Sequence, residues 1–310
     1  MNKPTLAVAT VNYNKSDYTL NLIKSLERST FRDIKVFVID NCSSEEDIMN
    51  LVDRCAKSCL DIMIIQNKSN SGWGSGLNLA FEEINKENIP YTLVINNDTQ
   101  LKYNTISLMM EVITKDKKIG ICGPKILNND GTIQTIGGIL NWKVKYLGIT
   151  TNNPRQYLTE TTTLSDNETL DDCCWIIRSD IMKQVHYEPH LFLYFEEFYI
   201  ILGARALGYK LAYVPSAEIS HYGQASTREA HESKSMFQVF YLNRNRIIFI
   251  KDKFPKIFPL FLPLCLLVTV PLLLIKYSLK REWSSVKQIL LGTHSGLDYS
   301  LFGKETYFKK

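Results

Sequence analysis

Three polar residues, Asn96, Asn97 and Asp98, directly follow an apolar run at residues 93–95 that is typical of a buried strand. In open α/β sheets, ligands bind beyond the carboxyl ends of the strands. A carboxylate flanked by amides at that place can hold one Mg²⁺ together with water and the phosphate oxygens of a ligand. Because Asn and Asp also favour turns after strands for backbone reasons, this cluster alone indicates a turn more strongly than a site.

Similar polar clusters follow three earlier predicted strands. These strands are predicted at residues 5–11, 34–39 and 61–65, with helices between them at residues 17–29 and 45–59. The alternation predicts βαβ units and a parallel sheet. The clusters contain Asn12 and Asn14, then Asp40, Asn41 and Ser43, then Asn70. Turn propensity explains each cluster separately, but four of them at one sheet edge indicate a nucleotide site.

A glycine-rich loop is predicted at residues 70–78 and contains Gly72, Trp73 and Asn78. Its glycines would let the backbone approach a ligand closely, and Trp73 would line the ligand pocket. The loop lacks the Gly-Lys-Ser/Thr of a Walker motif, and no Gly-x-Gly-x-x-Gly follows the first strand. The sequence therefore disfavours kinases, ATPases and dehydrogenases.

Composition limits the class of protein. The chain has 310 residues and a formal net charge of +4, which suits one large domain or a domain with an appendage. Residues 241–310 contain 12 Lys and Arg against 4 Asp and Glu, whereas residues 1–240 contain 24 against 28. Such a basic tail predicts an anionic partner, either a lipid surface or nucleic acid. Seven cysteines without a Cys-x-x-Cys pair predict a reducing compartment, and the start without an apolar leader predicts a cytosolic body.

The order of these motifs resembles family 2 glycosyltransferases, and within them a rhamnosyltransferase-like branch. The matching segments are Val-Asn-Tyr-Asn at 11–14, Asp-Asn-Cys-Ser at 40–43, the glycine-rich loop, Asn-Asn-Asp-Thr at 96–99, Gly-Pro-Lys-Ile at 123–126, Asp-Gly-Thr-Ile-Gln at 130–134, Gly-Gly at 137–138, Ile-Arg at 177–178, Tyr-Phe-Glu-Glu at 194–197, Arg-Ala-Leu-Gly-Tyr at 205–209 and Pro-x-Ala-x-Ile-x-His at 215–221. Each motif is weak alone, but the series is specific and covers about residues 5–226. It implies an α/β GT-A fold, Rossmann-like with a mostly parallel central sheet flanked by helices. The implied domain spans residues 1–240, with a nucleotide-sugar half at about 1–125 and an acceptor half at about 126–240, and a separate tail follows at 241–310.

The resemblance implies roles for the polar residues. The position of Asp40 contacts the nucleoside, Asp98 bridges to the diphosphate through Mg²⁺ or Mn²⁺, and His221 completes the metal or diphosphate site. A lone His after a strand is more often structural, so only the family pattern supports the role of His221. The implied donor-binding residues are Thr10, Asn12, Asn14, Asp40, Asn41, Ser43, Asn70, Gly72, Trp73, Asn78, Asn97 and Asp98.

Inverting glycosyl transfer needs a base that deprotonates the acceptor hydroxyl, in addition to a cation that stabilises the leaving diphosphate. Glu197, directly after Glu196, occupies the base position of the family pattern, where the family usually has Asp. The chain departs from that pattern at Tyr199, where the family has Asp, and at Gly203, where it has Arg. The alternative interpretation is that both glutamates only cap the N-terminal turn of a helix.

Acceptor-binding residues are predicted less directly. The aromatic faces of Trp175 and Tyr194 could pack against a sugar ring, although core packing explains them at least as well. Arg178, in a matching segment, is assigned to the same acceptor side. A polar stretch at residues 151–170 predicts a surface loop.

The tail combines basic residues with an apolar run. Arg244 and Arg246 are predicted to hold diphosphate oxygens or a lipid phosphate. Residues 257–275 carry no charge, but three prolines interrupt them, and basic residues flank them on both sides. We therefore predict a kinked helical hairpin in the cytoplasmic leaflet of the membrane. A single span and a homodimer interface are the alternatives, in that order.

The leading hypothesis is a metal-assisted, inverting glycosyltransferase on the inner face of the cell membrane. Its donor would be dTDP-rhamnose or a UDP-sugar, and its acceptor a lipid-linked glycan of O-antigen, capsule or cell-wall type. The alternative is a degenerate relative that binds nucleotide or glycan without turnover. Nucleic-acid binding is disfavoured because the basic residues flank an apolar run without interleaved aromatic platforms.

Overall fold

The computed structural model describes residues 4–141, 148–150, 160–222, 236–305 and 307. The strands are β1 (Leu6–Asn12), β2 (Ile34–Asp40), β3 (Asp61–Gln66), β4 (Tyr91–Ile95), β5 (Thr99–Leu101), β6 (Ile119–Leu127), β7 (Ile133–Thr135), β8 (Ile139–Asn141), β9 (Gly148–Thr150), β10 (Thr162–Thr163), β11 (Cys174–Arg178) and β12 (Lys210–His221). The helices are α1 (Ser16–Glu27), α2 (Glu45–Cys55), α3 (Trp73–Glu87), α4 (Thr105–Lys115), α5 (Ser179–Met182), α6 (Glu196–Ala206), α7 (Met236–Lys253), α8 (Phe258–Leu264), α9 (Val270–Leu279) and α10 (Trp283–Phe302).

The chain divides into two compact units, residues 1–189 with 197–225 and residues 190–196 with 226–310. The predicted domain boundary at residues 240–241 falls inside helix α7, and the two units divide the chain elsewhere. The predicted surface loop at residues 151–170 lies partly outside the described residues, which resume at residue 160.

The first unit is built on one large sheet whose strands follow the order β10-β12-β6-β11-β4-β1-β2-β3. Strands β3, β2, β1 and β4 are parallel neighbours, as the βαβ pattern predicts. Strand β1 is buried along its whole length, which fits its largely apolar sequence, Leu-Ala-Val-Ala-Thr-Val-Asn. The carboxyl ends of β1, β2 and β4 therefore carry their polar residues to one edge of the sheet.

The middle of the sheet contains one reversed strand. Strand β11 pairs antiparallel with both β4 and β6, while β6 and β12 pair with each other in parallel. Strands β4, β6 and β12 consequently point in one direction, and β11 points in the other. The start of β11, rather than its end, lies at the edge that carries Asp98.

Two local predictions differ from the structure. Helix α3 begins at Trp73, so most of the predicted glycine-rich loop is the first part of a helix. A Cβ at Gly74 would lie 2.7 Å from that of Tyr187, so glycine there permits close packing of the helix against Tyr187. Strand β12 does not turn at Pro215 but continues to His221, with an irregular register between Val214 and Glu218 that accommodates the proline.

The second unit is helical, and its helices α7 and α10 pack against each other. Two glycines of α10 permit this close approach. A Cβ added at Gly292 would lie 2.3 Å from the carbonyl oxygen of Phe240, and one added at Gly296 would lie 2.7 Å from that of Arg244. Any larger residue at either position would push the two helices apart.

The predicted apolar segment forms one continuous helical run, Phe258–Leu279, in which a π-helical turn at Cys265–Thr269 joins α8 to α9. Within the described residues it is the one helix long and apolar enough to cross a membrane, and 22% of its apolar window is buried. The predicted hairpin does not lie inside this run, because the chain turns after Leu279 and returns as α10. Several large apolar side chains of the run are exposed: Leu260, Leu267, Leu272, Ile275 and Leu279.

Candidate active site

Asn12 connects the ends of strands β1 and β2. Its Nδ2 donates to Asp40 Oδ1 at 3.0 Å and to Asp47 Oδ2 at 2.9 Å, and its Oδ1 accepts from Thr19 Oγ1 at 2.8 Å. Asn12 is fully buried, so it positions Asp40 rather than facing a ligand. Thr10, also assigned to donor binding from the sequence, is likewise fully buried within β1.

Asp47 is a member of this cluster that sequence reasoning missed. Its Oδ1 accepts from the backbone N–H of Ser16 at 2.9 Å, so the carboxylate joins α1 to α2. Burial raises the pKa of Asp47, but hydrogen bonds from Ser16, Asn12 and Ser43 outweigh burial and leave the pKa below its ordinary value. An ionised Asp47 therefore anchors the amide of Asn12.

The chain before helix α3 is held by Asn41. Its Nδ2 donates to Asn70 Oδ1 and to the carbonyl oxygen of Gly72, both at 3.0 Å. Asn78, predicted to bind the donor, instead exchanges two hydrogen bonds with the backbone of Tyr187, at 2.8 and 3.1 Å. Asn41 and Asn78 thus hold neighbouring segments of the protein in place. Asn70 and Trp73, in contrast, remain partly exposed.

Asp98 and His221 meet at the carboxyl edge of the sheet. His221 Nε2 lies 3.1 Å from Asp98 Oδ1, and His221 Nδ1 lies 2.8 Å from Gln134 Oε1. An amide oxygen only accepts, so Gln134 fixes a proton on Nδ1 and leaves Nε2 facing the carboxylate. Gln134 was not predicted as a site residue. It lies on β7, next to Ile133, and Ile133 pairs with Leu127 at the carboxyl end of β6.

This pair fits a divalent cation. A carboxylate oxygen and the Nε2 atom of an imidazole converge on one point, and both are ligands that Mn²⁺ accepts. A bound cation would take the place of the proton that Nε2 donates to Asp98. No three His, Cys, Asp or Glu residues gather at a metal-binding distance within the described part of the chain, so the diphosphate and water would supply the other ligands. Burial lowers the pKa of His221, but the hydrogen bond and charge of Asp98, with Asp171 and Asp172 adding, leave the pKa above its ordinary value. The site therefore attracts positive charge.

Asp172 extends the acidic environment and was also missed by sequence reasoning. Its Oδ2 accepts from the indole N–H of Trp73 at 3.3 Å, which ties the start of β11 to the start of helix α3. Burial and the neighbouring charge of Asp171 raise the pKa of Asp172 to about 7. The carboxyl group thus lies at the same sheet edge as Asp98, in a position that the antiparallel direction of β11 determines.

Replacing Asp172 by Asn should stabilise the metal-free protein at neutral pH. The folded-state pKa of about 7 exceeds the unfolded value of 3.8, so stability is lost as the pH rises through this interval. Asn carries no such penalty and can still accept from Trp73. We expect Asp172→Asn to raise the free energy of unfolding by on the order of 2 kcal/mol at pH 8 and by little at pH 4.

Denaturant melts in EDTA at the two pH values measure this difference. Asp53→Asn serves as the control, because Asp53 is an exposed carboxylate on α2 that pairs with Lys57. An equal gain for Asp172→Asn at both pH values would contradict the shifted pKa.

The predicted base lies in the first turn of helix α6. Glu196 is buried, whereas Glu197 is only half-buried and can meet a substrate. The two departures from the family pattern have a packing explanation. Tyr199 is buried, and a Cβ at Gly203 would lie 2.4 Å from Val185 Cγ1, so an arginine cannot fit there. Packing thus replaces the family's Asp–Arg pair.

Two predicted acceptor residues lie elsewhere. Trp175 is fully buried in β11 and presents no ring face to a sugar. Arg178, at the opposite end of β11, donates to the carbonyl oxygens of Ile119 and Ile113 at 2.8 and 2.6 Å. It therefore terminates helix α4 and faces the edge of the sheet remote from Asp98, because β11 is antiparallel to β4.

The remaining predicted residues belong to the second unit. Tyr194 is half-buried and has a φ of 69°. Arg244 is fully buried and donates to the carbonyl oxygen of His190 and to Asn245 Oδ1, which is unlike an exposed phosphate-binding arginine. Arg246 is partly buried, and burial lowers its pKa. These contacts support a structural role for Arg244 in place of the predicted phosphate contact.

A parallel βαβ half with Asp40 and Asp98 at its carboxyl edge, and His221 beside Asp98, fits the GT-A fold that the motifs predict. The model of Glycosyl transferase family 2 matches residues 7–185, and the chain belongs to this family. It is therefore a family 2 glycosyltransferase, and the predicted GT-A fold is confirmed.

A curated rhamnosyltransferase is similar to most of this chain, as the predicted resemblance to a rhamnosyltransferase-like branch implies. The chain is 24% identical over 243 residues to N-acetylglucosaminyl-diphospho-decaprenol L-rhamnosyltransferase of Mycobacterium tuberculosis, an alignment that covers 72% of this chain and 77% of the relative.

Solved structures share the fold at low identity. GalNAc-T7 with UDP, GalNAc and Mn²⁺ aligns with a TM-score of 0.60 at 18% identity, over 83% of this chain and 50% of that one. The mannosyltransferase PcManGT from Pyrobaculum calidifontis, in complex with GDP-Man and Mn²⁺, aligns with a TM-score of 0.58 at 10% identity, over 98% and 89%. S. aureus TarS aligns over 80% of this chain but only 40% of its own length, with 17% identity and a TM-score of 0.51.

Proposed function

We propose that this enzyme transfers a sugar from dTDP-rhamnose or a UDP-sugar to a hydroxyl group of a lipid-linked glycan by a single, inverting displacement. The 3.1 Å approach of His221 Nε2 to Asp98 Oδ1 at the carboxyl edge of the sheet carries this proposal. The name of the mycobacterial relative supports both the rhamnosyl donor and the lipid-diphosphate acceptor.

Each residue has a distinct part in the proposed reaction. Asp98 and His221 would hold Mg²⁺ or Mn²⁺, and Gln134 keeps the imidazole in the tautomer that exposes Nε2. When bound there, the cation would supply charge neutralisation for the departing nucleoside diphosphate. Asp40, held by Asn12, contacts the nucleoside. Glu197 accepts the proton of the acceptor hydroxyl as that oxygen attacks the anomeric carbon on the face opposite the leaving group.

A donor screen tests the proposal. Purified enzyme with Mn²⁺ or Mg²⁺ is incubated with dTDP-rhamnose, UDP-glucose, UDP-galactose and UDP-N-acetylhexosamines, with and without a lipid-diphosphate sugar, and nucleoside diphosphate release is measured. Acceptor-dependent release from one donor is the expected result. Nucleotide binding without release from any donor would instead favour the degenerate binder, which the replacement of the family's Asp and Arg by Tyr199 and Gly203 motivates.

We further propose that the Phe258–Leu279 run seats the enzyme on the inner face of the cell membrane, next to its acceptor. Leu267 and Leu272 of the run are 77% and 60% exposed. Burying a leucine side chain contributes about 1.5–3 kcal/mol, and the basic residues on both sides of the run favour anionic lipid.

Replacing both leucines by glutamate should lower binding to phosphatidylglycerol-containing vesicles at least tenfold in co-sedimentation. The matched control is Met49→Glu, at an apolar residue on α2 that is 63% exposed. Unchanged vesicle binding, together with a change from dimer to monomer in solution, would show that the run forms a homodimer interface instead.

A further inference from the structure

The segment before Glu196 and Glu197, here called the acidic pair, has an unusual backbone. Phe192, Tyr194 and Phe195 have φ angles of 65°, 69° and 77°, in the left-handed region that residues with bulky side chains rarely adopt. Such a backbone persists only where its surroundings hold it. It leads directly into Glu196, the first residue of helix α6, and the chain continues with Glu197.

One side chain of helix α7 holds this segment. The Nδ2 atom of Asn245 lies 2.9, 2.8 and 2.9 Å from the carbonyl oxygens of Leu191, Leu193 and Tyr194. Because an amide nitrogen has two hydrogens, the three acceptors share them. Asn245 is fully buried, so water does not compete for these hydrogen bonds.

Arg244 sets the direction of the Asn245 amide. Its Nη1 lies 2.7 Å from Asn245 Oδ1 and 2.8 Å from the carbonyl oxygen of His190. A guanidinium group only donates, so the amide must turn its oxygen toward Arg244 and its NH₂ group toward the three carbonyls. The Nε of Arg244 is anchored in turn by Ser295 Oγ on α10, at 3.1 Å.

Aromatic packing ties the same segment to the same helix. The ring of Phe192 stacks on that of Tyr241 with a centroid distance of 5.3 Å, and Phe195 packs on Phe249 at 5.6 Å. These contacts hold side chains, whereas Asn245 binds the backbone, whose direction decides where helix α6 begins.

We infer that Asn245, oriented by Arg244, is a positioning residue for the acidic pair of the transfer reaction. This inference rests on the proposed function of Glu197. Asn245 does not touch the substrate; it holds the left-handed backbone so that Glu196 and Glu197 start their helix in one place. A shift of about 1 Å in a reacting group can lower the rate roughly a hundredfold. The hydrogen bonds from Asn245 to the three carbonyl oxygens, here called the clamp, are therefore expected to raise kcat.

The test variant is Asn245→Asp, which keeps an oxygen for Arg244 but has no hydrogens for the three carbonyls. Asn243→Asp is the matched control. Asn243 is also buried on α7, but within the described residues its Nδ2 donates to the carbonyl oxygen of Val239 in the same helix, at 2.8 Å. We expect Asn245→Asp to lower kcat about a hundredfold, with the KM for the donor and the Kd for UDP or dTDP within about twofold of wild type. The control should change all three quantities little.

Hydrogen–deuterium exchange supplies a readout independent of turnover. Peptides covering residues 190–197 should exchange at least tenfold faster in Asn245→Asp than in the control. Asn245→Ala repeats both measurements without a buried charge, in case the aspartate variant does not fold. Unchanged exchange in the folded variant overturns the clamp, and faster exchange with an unchanged kcat overturns the positioning role. A wild-type enzyme without turnover overturns the proposed function, and exchange then still decides the clamp.

Discussion

Asp98→Ala is expected to reduce sugar transfer by roughly a thousandfold, the largest loss that any single replacement at the sheet edge should cause. A bound cation contributes several kcal/mol of charge stabilisation to the transition state, and about 1.4 kcal/mol corresponds to a tenfold change in rate. Asp98 is 6% exposed and supplies the carboxylate that His221 faces. Its removal should therefore also weaken Mn²⁺-dependent binding of the nucleoside diphosphate, measured by calorimetry.

Two comparisons make this result specific. His221→Ala should weaken Mn²⁺-dependent binding in the same direction, whereas Asp53→Asn should leave both transfer and binding unchanged. If Asp98→Ala bound UDP or dTDP with wild-type affinity and the same dependence on Mn²⁺, Asp98 would not be a metal ligand.

The polar sheet edge was predictable because apolar runs and the preference of Asn and Asp for turns are local properties of the sequence. Strand β4 ends at Ile95, where the predicted apolar run ends, and Asp98 comes shortly after it. Asp40, predicted to follow a strand, is the last residue of β2. The side-chain network behind them was not predictable. Three asparagines have the residue type of a ligand-binding amide: Asn12, Asn41 and Asn78. Each of them forms its hydrogen bonds with other groups of the protein, and only the tertiary structure shows this.

Strand direction explains the largest errors in the predicted site. Arg178 was assigned to the acceptor side from its motif, and a motif does not give the direction of the strand that carries it. A parallel β11 would have placed Arg178 near Asp98. In the structure Cys174 pairs with Ile95 and Arg178 with Tyr91, so β11 begins at the site edge. That reversal brings Asp172 to the site and removes Arg178 from it. The signal in the sequence was the two consecutive aspartates, Asp171 and Asp172, just before an apolar run.

The departures at Tyr199 and Gly203 are better explained by packing than by loss of function. In the family pattern an Asp and an Arg four residues apart would pair along one face of the helix. Here Tyr199 is 2% exposed and Gly203 meets Val185, so the same face is apolar and close-packed. Neither replacement removes Glu197 or the Asp98–His221 pair, which argues for retained catalysis.

Glu197→Gln should lower kcat by roughly 10²–10⁴-fold, the range that general-base catalysis contributes. The replacement keeps the size and hydrogen-bonding shape of the side chain but removes its ability to accept a proton. Because Glu197 would act on the acceptor hydroxyl, the affinity for UDP or dTDP should stay within about twofold of wild type. Steady-state transfer to a lipid-diphosphate sugar, together with calorimetric nucleotide binding, separates these two effects.

The neighbouring glutamate provides the control that decides between a base and a helix cap. Acidic residues in the first turn stabilise a helix by about 0.3–1 kcal/mol, so a purely capping role predicts small and similar losses of stability for Glu196→Gln and Glu197→Gln. Glu197→Asp, which restores the residue of the family pattern, should recover part of the activity that Glu197→Gln loses, since a carboxylate returns at a shorter reach. If Glu196→Gln abolished transfer while Glu197→Gln retained it, the buried glutamate would be the base, and helix α6 would have to present its first residue to the acceptor.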